Sequence, residues 1–234
     1  MDTFNVEDAE KKIGFEFNDK RILMMAFTHR SFLNENKESG LEHNERLEFL
    51  GDAVLELVTT DFLYKKYPKR HEGDMTSFRA ALVNTVTLSE TSEKLGFNDL
   101  LLLSKGEAKD TGRARQYILA NVFEAVTGAL YLDLGYEAAE KFIAKNIFPL
   151  IDKIVKDGSW VDAKSLFQEK AQEKFGQTPS YETVGEEGPD HNKQFIVVVK
   201  LNNKTEGKGK GNSKQEAEQI AAIDALKKNK WLPQ

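Results

Sequence analysis

The chain has 234 residues, 40% of them hydrophobic and 30% charged, which leaves room for one large domain or two modest ones with a sizeable core. It contains no cysteine, which excludes disulfides and thiolate metal sites, and its acidic start lacks the apolar segment of a secretory signal. The net charge is −5, but from Trp160 onward 12 lysines face 11 acids, so that part carries +1 and the remainder −6.

No apolar run approaches the roughly 20 residues needed to span a bilayer, so no membrane association is expected. A cytoplasmic location fits the absence of cysteine without following from it. Apolar residues at helical spacing predict helices over residues 7–13, 20–27, 46–64, 76–95, 116–132 and 138–155, with no strand-like alternation among them. Pro68, Gly73 and Gly135 punctuate this series, and the polar stretch 105–115 reads as a loop. Residues 1–155 therefore form an all-α domain. A short polar linker at 156–161 follows.

Residues 162–234 have a different pattern. A helix is expected over 163–175, strands over 181–187 and 194–201, a turn at Asn202-Asn203 and a short strand over 204–208. Ser213 then caps a helix over 215–228 that is rich in alanine. The order α-β-β-β-α makes this a small α+β domain. Between Lys200 and Lys214 lie five lysines and one acid, Glu206, a basic strip on an otherwise acidic chain.

Two segments carry chemistry. Glu45, Glu48 and Asp52 stand at i, i+3 and i+7 and share one stripe of a helix, with Leu47, Leu50, Ala53, Val54 and Leu57 expected on the opposite side and Phe49 and Leu55 flanking the acids. Like charges at this spacing repel. The stripe is either a solvated face or a site compensated by a hard divalent cation, which takes carboxylate oxygens. In the apolar segment 118–131, Asn121 and Glu124 lie on one face, beside Ala125 and Gly128, small enough to admit a close neighbour. A carboxylate in such surroundings needs a partner. Either Arg46 or Arg79 pairs with it, or it joins the Glu45/Glu48/Asp52 stripe in a cluster suited to Mg²⁺ and phosphate chemistry. A di-iron bundle is excluded, because residues 26, 40, 68 and 188, three before each histidine, are Ala, Gly, Pro and Gly. No G-x-S-x-G elbow supports Ser-His-Asp catalysis, and His29 and His43 read as structural.

The run from Asn44 to Leu55, NERLEFLGDAVL, resembles the signature of the ribonuclease III family. Thr28-His29-Arg30-Ser31, Glu72-Gly73-Asp74-Met75-Thr76, Arg79-Ala80 and residues 118–133 resemble that family too, in order, and the part after Asp162 resembles its double-stranded-RNA-binding domain. The resemblance covers nearly the whole chain in the bacterial two-domain layout. It implies an endoribonuclease that cleaves double-stranded RNA by Mg²⁺-dependent hydrolysis, with Mn²⁺ as a substitute, leaving 5′-phosphate and 3′-hydroxyl ends in rRNA and mRNA processing. It also implies a homodimer with one acidic centre per subunit. Asp52 and Glu124 match the catalytic carboxylates; Glu48, Asp52 and Glu124 match metal ligands, Glu45 a further acid and Glu72 an accessory one. Asn121 stands where the family places Asp; it is kept as a weak, uncharged ligand.

Double-stranded RNA is recognised through shape, 2′-hydroxyls and phosphates over about 16 bp per module. Matching contact positions are Ser165, Gln168 and Glu169 on a helix, His191 in a loop with Gly188, Pro189 and Asp190, and Lys210, Ser213 and Lys214 at a helix N-terminus. Gln215 replaces a common second lysine.

Overall fold

A computed structural model describes residues 4–189 and 193–232. The chain divides into two compact units, Met1–Lys153 and Ile154–Gln234. The first unit is helical. Its helices are α1 (Val6–Ile13), α2 (Lys20–Ala26), α3 (Arg30–Glu35), α4 (Glu45–Lys66), α5 (Glu72–Leu82), α6 (Thr85–Lys94), α7 (Arg113–Leu134) and α8 (Tyr136–Asn146), and α9 (Ile151–Asp157) leads out of it.

Helix α7 is the centre of this unit, with Val122, Phe123, Ala125, Val126, Ala129 and Leu130 fully buried. Among the described residues it is the one helix long and apolar enough, by composition, to cross a membrane, and here that composition serves burial in the core. Helix α4 packs along it at a crossing built on two glycines. A Cβ on Gly51 would lie 1.7 Å from the Glu124 carbonyl oxygen, and one on Gly128 would lie 2.3 Å from that of Leu47. The backbones touch there because neither residue has a side chain.

Three expectations differ. The stretch 76–95 is two helices: α5 stops at Leu82, and Asn84 caps α6 by accepting the Thr87 N–H at 2.9 Å. The stretch 138–155 breaks between α8 and α9 at a 3₁₀ turn, Phe148–Leu150, whose Pro149 has no N–H to continue a helix. Helix α3 was not expected. His29 caps it through Nδ1, an acceptor outside the usual Ser/Thr/Asp/Asn set.

In the second unit α10 (Ala163–Phe175) precedes β1 (Ser180–Glu187), β2 (Gln194–Leu201) and β3 (Lys204–Gly211), and α11 (Lys214–Lys228) closes it. The strands form an antiparallel sheet in the order β1-β2-β3. Asn202 and Asn203 turn the second hairpin with φ of 52° and 61°, the left-handed pair that a type I′ turn requires. Phe167, Val197, Val199, Ala217, Ala221 and Ala225 make the core. β3 runs to Gly211, beyond the expected end at residue 208. Glycine disfavours strands, but Gly207, Gly209 and Gly211 face the alanine side of α11, and a Cβ on Gly209 would stand 2.2 Å from the Ala217 carbonyl oxygen. Close helix–sheet contact outweighs strand propensity at these positions.

Candidate functional site

Helix α4 starts from a fixed point. Asn44 is buried; its N–H donates to the Thr28 carbonyl at 2.9 Å and its side chain donates to the Ala26 carbonyl at 3.2 Å. Glu45, one residue on, turns to Arg30 at 3.6 Å and lies 3.8 Å from His43. Glu48 and Asp52 follow along α4, and the glycine crossing brings α7 against them. The Asn121 amide lies near enough to Glu48 to influence its carboxyl, and Glu124 stands close enough to feel the charges of both Asp52 and Glu48.

The electrostatics follow from this packing. Burial, then the charges of Asp52 and Glu48, push the Glu124 carboxyl up from 4.5 to about 8. Burial raises Glu48, as do the charges of Glu45 and Asp52, while the nearby Asn121 amide lowers it. Burial also raises Asp52, with Glu56 adding to the effect. Glu56, at i+4 from Asp52 in the sequence, extends the acidic stripe by one more turn. Arg79 pairs with Glu56 at 3.9 Å and donates to Thr60 at 2.9 Å. Neither it nor Arg46 figures among the influences on Glu124, so the arginine-paired alternative is not what the structure adopts. Among the described residues no three acidic or histidine side chains converge into a ready-made metal cage. Glu72 lies apart, accepting from Thr76 at 2.8 Å beside a separate small cleft.

The opposite side of α4 differs from expectation. Its core face is Leu47, Gly51, Val54, Leu55 and Val58, rotated toward the acids, so that Leu55 is fully buried. Ala53 and Leu57 are exposed, as is Phe49 at 83%. The cause is the glycine crossing, which draws the Gly51 side of the helix, not the Leu50 side, onto α7.

In the second unit, Ala163, Phe167 and Ala171 are the buried side of α10, and Ser165, Gln168 and Glu169 lie on exposed positions. The Ser165 hydroxyl donates to Asp162 at 2.8 Å. Ser213 accepts the Glu216 N–H at 3.1 Å as the cap of α11, and Lys214 Nζ lies 5.7 Å from the centre of the Phe195 ring. Lys210 Nζ pairs with Glu187 at 2.7 Å. His191 falls outside the described residues. The basic strip is largely neutralised within the fold: Lys200 pairs with Glu182 and Lys204 with Glu206. Glu182 and Glu187 come from β1, outside the strip, so a linear count of lysines overlooks them.

A helical unit with neighbouring, partly exposed acids at a glycine crossing, followed by an α-β-β-β-α unit, defines a two-domain nuclease with an RNA-binding module. The model of a "Ribonuclease-III-like" domain matches residues 19–151, and that of the "Double-stranded RNA binding motif" matches residues 163–229. The chain belongs to the ribonuclease III family and is an endoribonuclease specific for double-stranded RNA. It is 46% identical over 224 residues to Ribonuclease 3 of Bacillus cereus, covering 94% of this chain and 90% of that one. It is 45% identical over 219 residues to Ribonuclease 3 of Protochlamydia amoebophila, covering 93% and 89%. The nuclease domain of ribonuclease III from Campylobacter jejuni, a structure concerned with a region involved in dimer formation, matches with a TM-score of 0.55 and 42% identity over 62% of this chain and 99% of that one.

Proposed function

We propose that Glu48, Asp52 and Glu124 carry the hydrolysis of double-stranded RNA, with Mg²⁺ as the cation, and that the working form is a homodimer acting in RNA processing in the cytoplasm. The observation that carries the reading is Glu124: a half-buried carboxyl set beside Asp52 and Glu48 and pushed up to about 8 by burial and by their charges. Oxygen-only donors suit a hard cation, and magnesium needs only one or two carboxylates because it keeps several waters. That requirement is compatible with acids that neighbour one another without forming a closed cage. Glu48, Asp52 and Glu124 would hold the ion, with Asn121 orienting Glu48; Glu45, turned to Arg30, contributes charge from the edge. When bound, magnesium supplies the positive charge that relieves the acids and favours attack of water on phosphorus.

Hydrolysis joins the water oxygen to phosphorus and breaks the bond to the 3′ oxygen, which takes up a proton. The products are a 5′-phosphate and a 3′-hydroxyl. Gln168, Glu169, Ser165, Ser213 and Lys214 would position the duplex through 2′-hydroxyls and phosphates.

The homodimer is supported by the exposed flank of α4. Phe49 is 83% exposed and Leu57 59%, and a cleft of about 790 Å³ bordered by Met25, Leu41, Leu50 and Leu132 opens beside Phe49. A protruding ring beside a cleft of mixed lining, apolar at Met25, Leu41, Leu50 and Leu132 and charged at Arg21, Glu42 and Arg46, suits a self-complementary contact between two copies.

The test is incubation with a long RNA duplex across a Mg²⁺ series. Asp52→Asn and Glu124→Gln are expected to lose about 10²-fold or more in cleavage rate while retaining duplex affinity in EDTA. Cleavage that survives either substitution at full rate would remove that residue from the centre.

A further inference from the structure

The fold places an acid where the RNA-binding surface needs a free cation. Lys210 leaves β3 next to the start of α11. Its ammonium is held at 2.7 Å by Glu187, the last residue of β1, across the intervening strand. Lys210 and the nearby Lys208 in turn hold the Glu187 carboxyl below the usual carboxylate range, so Glu187 is charged throughout the neutral range. Both partners are about half exposed, 48% for Lys210 and 57% for Glu187. An ion pair in water at such exposure contributes little to stability. Its consequence lies instead in binding: a phosphate reaching Lys210 must displace a carboxylate already there.

We propose that Glu187 competes with the RNA phosphate for Lys210 and so sets the duplex affinity of this module below what its lysines would otherwise give. The inference rests on the RNA-binding reading of Lys210, Ser213 and Lys214. It identifies Glu187 as a specificity-determining residue, because weak backbone affinity leaves relatively more of the binding to shape and 2′-hydroxyl contacts, which distinguish duplex RNA from other polyanions. Glu186, the neighbour of Glu187 in β1, is taken up by Lys193 at 3.0 Å. Glu182 pairs with Lys200 and stands five positions before Glu187 along the strand, roughly 17 Å away.

The test is a double-mutant cycle on the full chain, with binding to a duplex RNA measured in EDTA over a salt series. Glu187→Gln is expected to tighten binding about three- to tenfold at low salt and to steepen the salt dependence by about one phosphate equivalent. Lys210→Gln alone is expected to cost less than about twofold, but about fivefold or more in the Glu187→Gln background. Glu182→Gln should leave the affinity unchanged. General repulsion between an acid and RNA would make the Glu187 and Lys210 effects additive, and additivity would overturn the proposal. Lys214→Ala in the same assay separates the two levels of the reading. If it weakens binding while the cycle is additive, the surface stands and the competition does not. If it too has no effect, the assigned surface fails and the competition with it.

Discussion

At the scale of single residues, Glu124 has the clearest consequence. A carboxyl whose folded value rises from 4.5 to about 8 holds its proton more tightly in the native state than in the unfolded chain. The stability it contributes to the metal-free protein is therefore full below about 4.5 and is lost as the pH climbs through about 8. In EDTA the melting temperature is expected to fall between about pH 4.5 and about pH 8, and Glu124→Gln is expected to flatten that fall and to melt higher at the alkaline end. Each kcal/mol relieved corresponds to roughly 2–4 °C for a chain of this size. An identical pH profile in the variant would show that Glu124 is not held among uncompensated acids. Adding Mg²⁺ to the wild type at high pH should restore stability, since any ligand that binds the native state alone raises the melting temperature.

At the scale of elements, the acid site depends on how closely α4 and α7 approach. Gly51→Ala would set a methyl 1.7 Å from the Glu124 carbonyl oxygen, a backbone atom that cannot rotate away. The helices must separate, at a cost of about 1–3 kcal/mol or more, and Glu124 moves away from Asp52 and Glu48 as they do. Cleavage per folded molecule is expected to fall along with the melting temperature. Gly73→Ala is the contrasting case: nothing lies within 4 Å of the added methyl, near the start of α5, and stability should rise by about 0.4–1 kcal/mol. Equal melting temperatures for wild type and Gly51→Ala would show that the crossing tolerates a methyl. The acids and the α-β-β-β-α order were readable in the sequence because charge spacing and apolar periodicity are local properties. The glycine crossing was half readable: Gly128 stood out in an apolar helix, whereas Gly51 gave no sign that its side of α4, and not the Leu50 side, would be buried. The same limit hid the pairing of β1 glutamates with the basic strip, since Glu187 and Lys210 meet only after β2 has been placed between them.

At the scale of the whole molecule, each chain carries one acidic centre, while a duplex has two strands to cut. The exposed flank of α4 bears on this. Phe49, Leu57 and Ala53 face solvent on a helix whose other side is already packed on α7, and Leu132 borders the same cleft as Phe49. In a two-fold interface every substitution counts twice. In the proposed dimer, replacing Phe49 by Glu would remove about 1.5–3 kcal/mol of apolar burial from each copy and place two carboxylates in the contact. The dimer dissociation constant is expected to rise by about 10²–10⁴-fold, which sedimentation at micromolar protein would register as a shift to monomer. The folded chain should survive, because Phe49 contributes almost nothing to the core of its own unit. Loss of the partner should also change the products. Wild-type enzyme with two centres held on one duplex would release fragments cut in both strands, whereas a monomeric Phe49→Glu variant with Glu48, Asp52 and Glu124 intact would accumulate duplexes nicked in one strand. A variant that sediments as a monomer yet cuts both strands in concert would separate dimerisation from double-strand cleavage, and a wild type that is monomeric at working concentration would leave the apolar flank of α4 to a different partner.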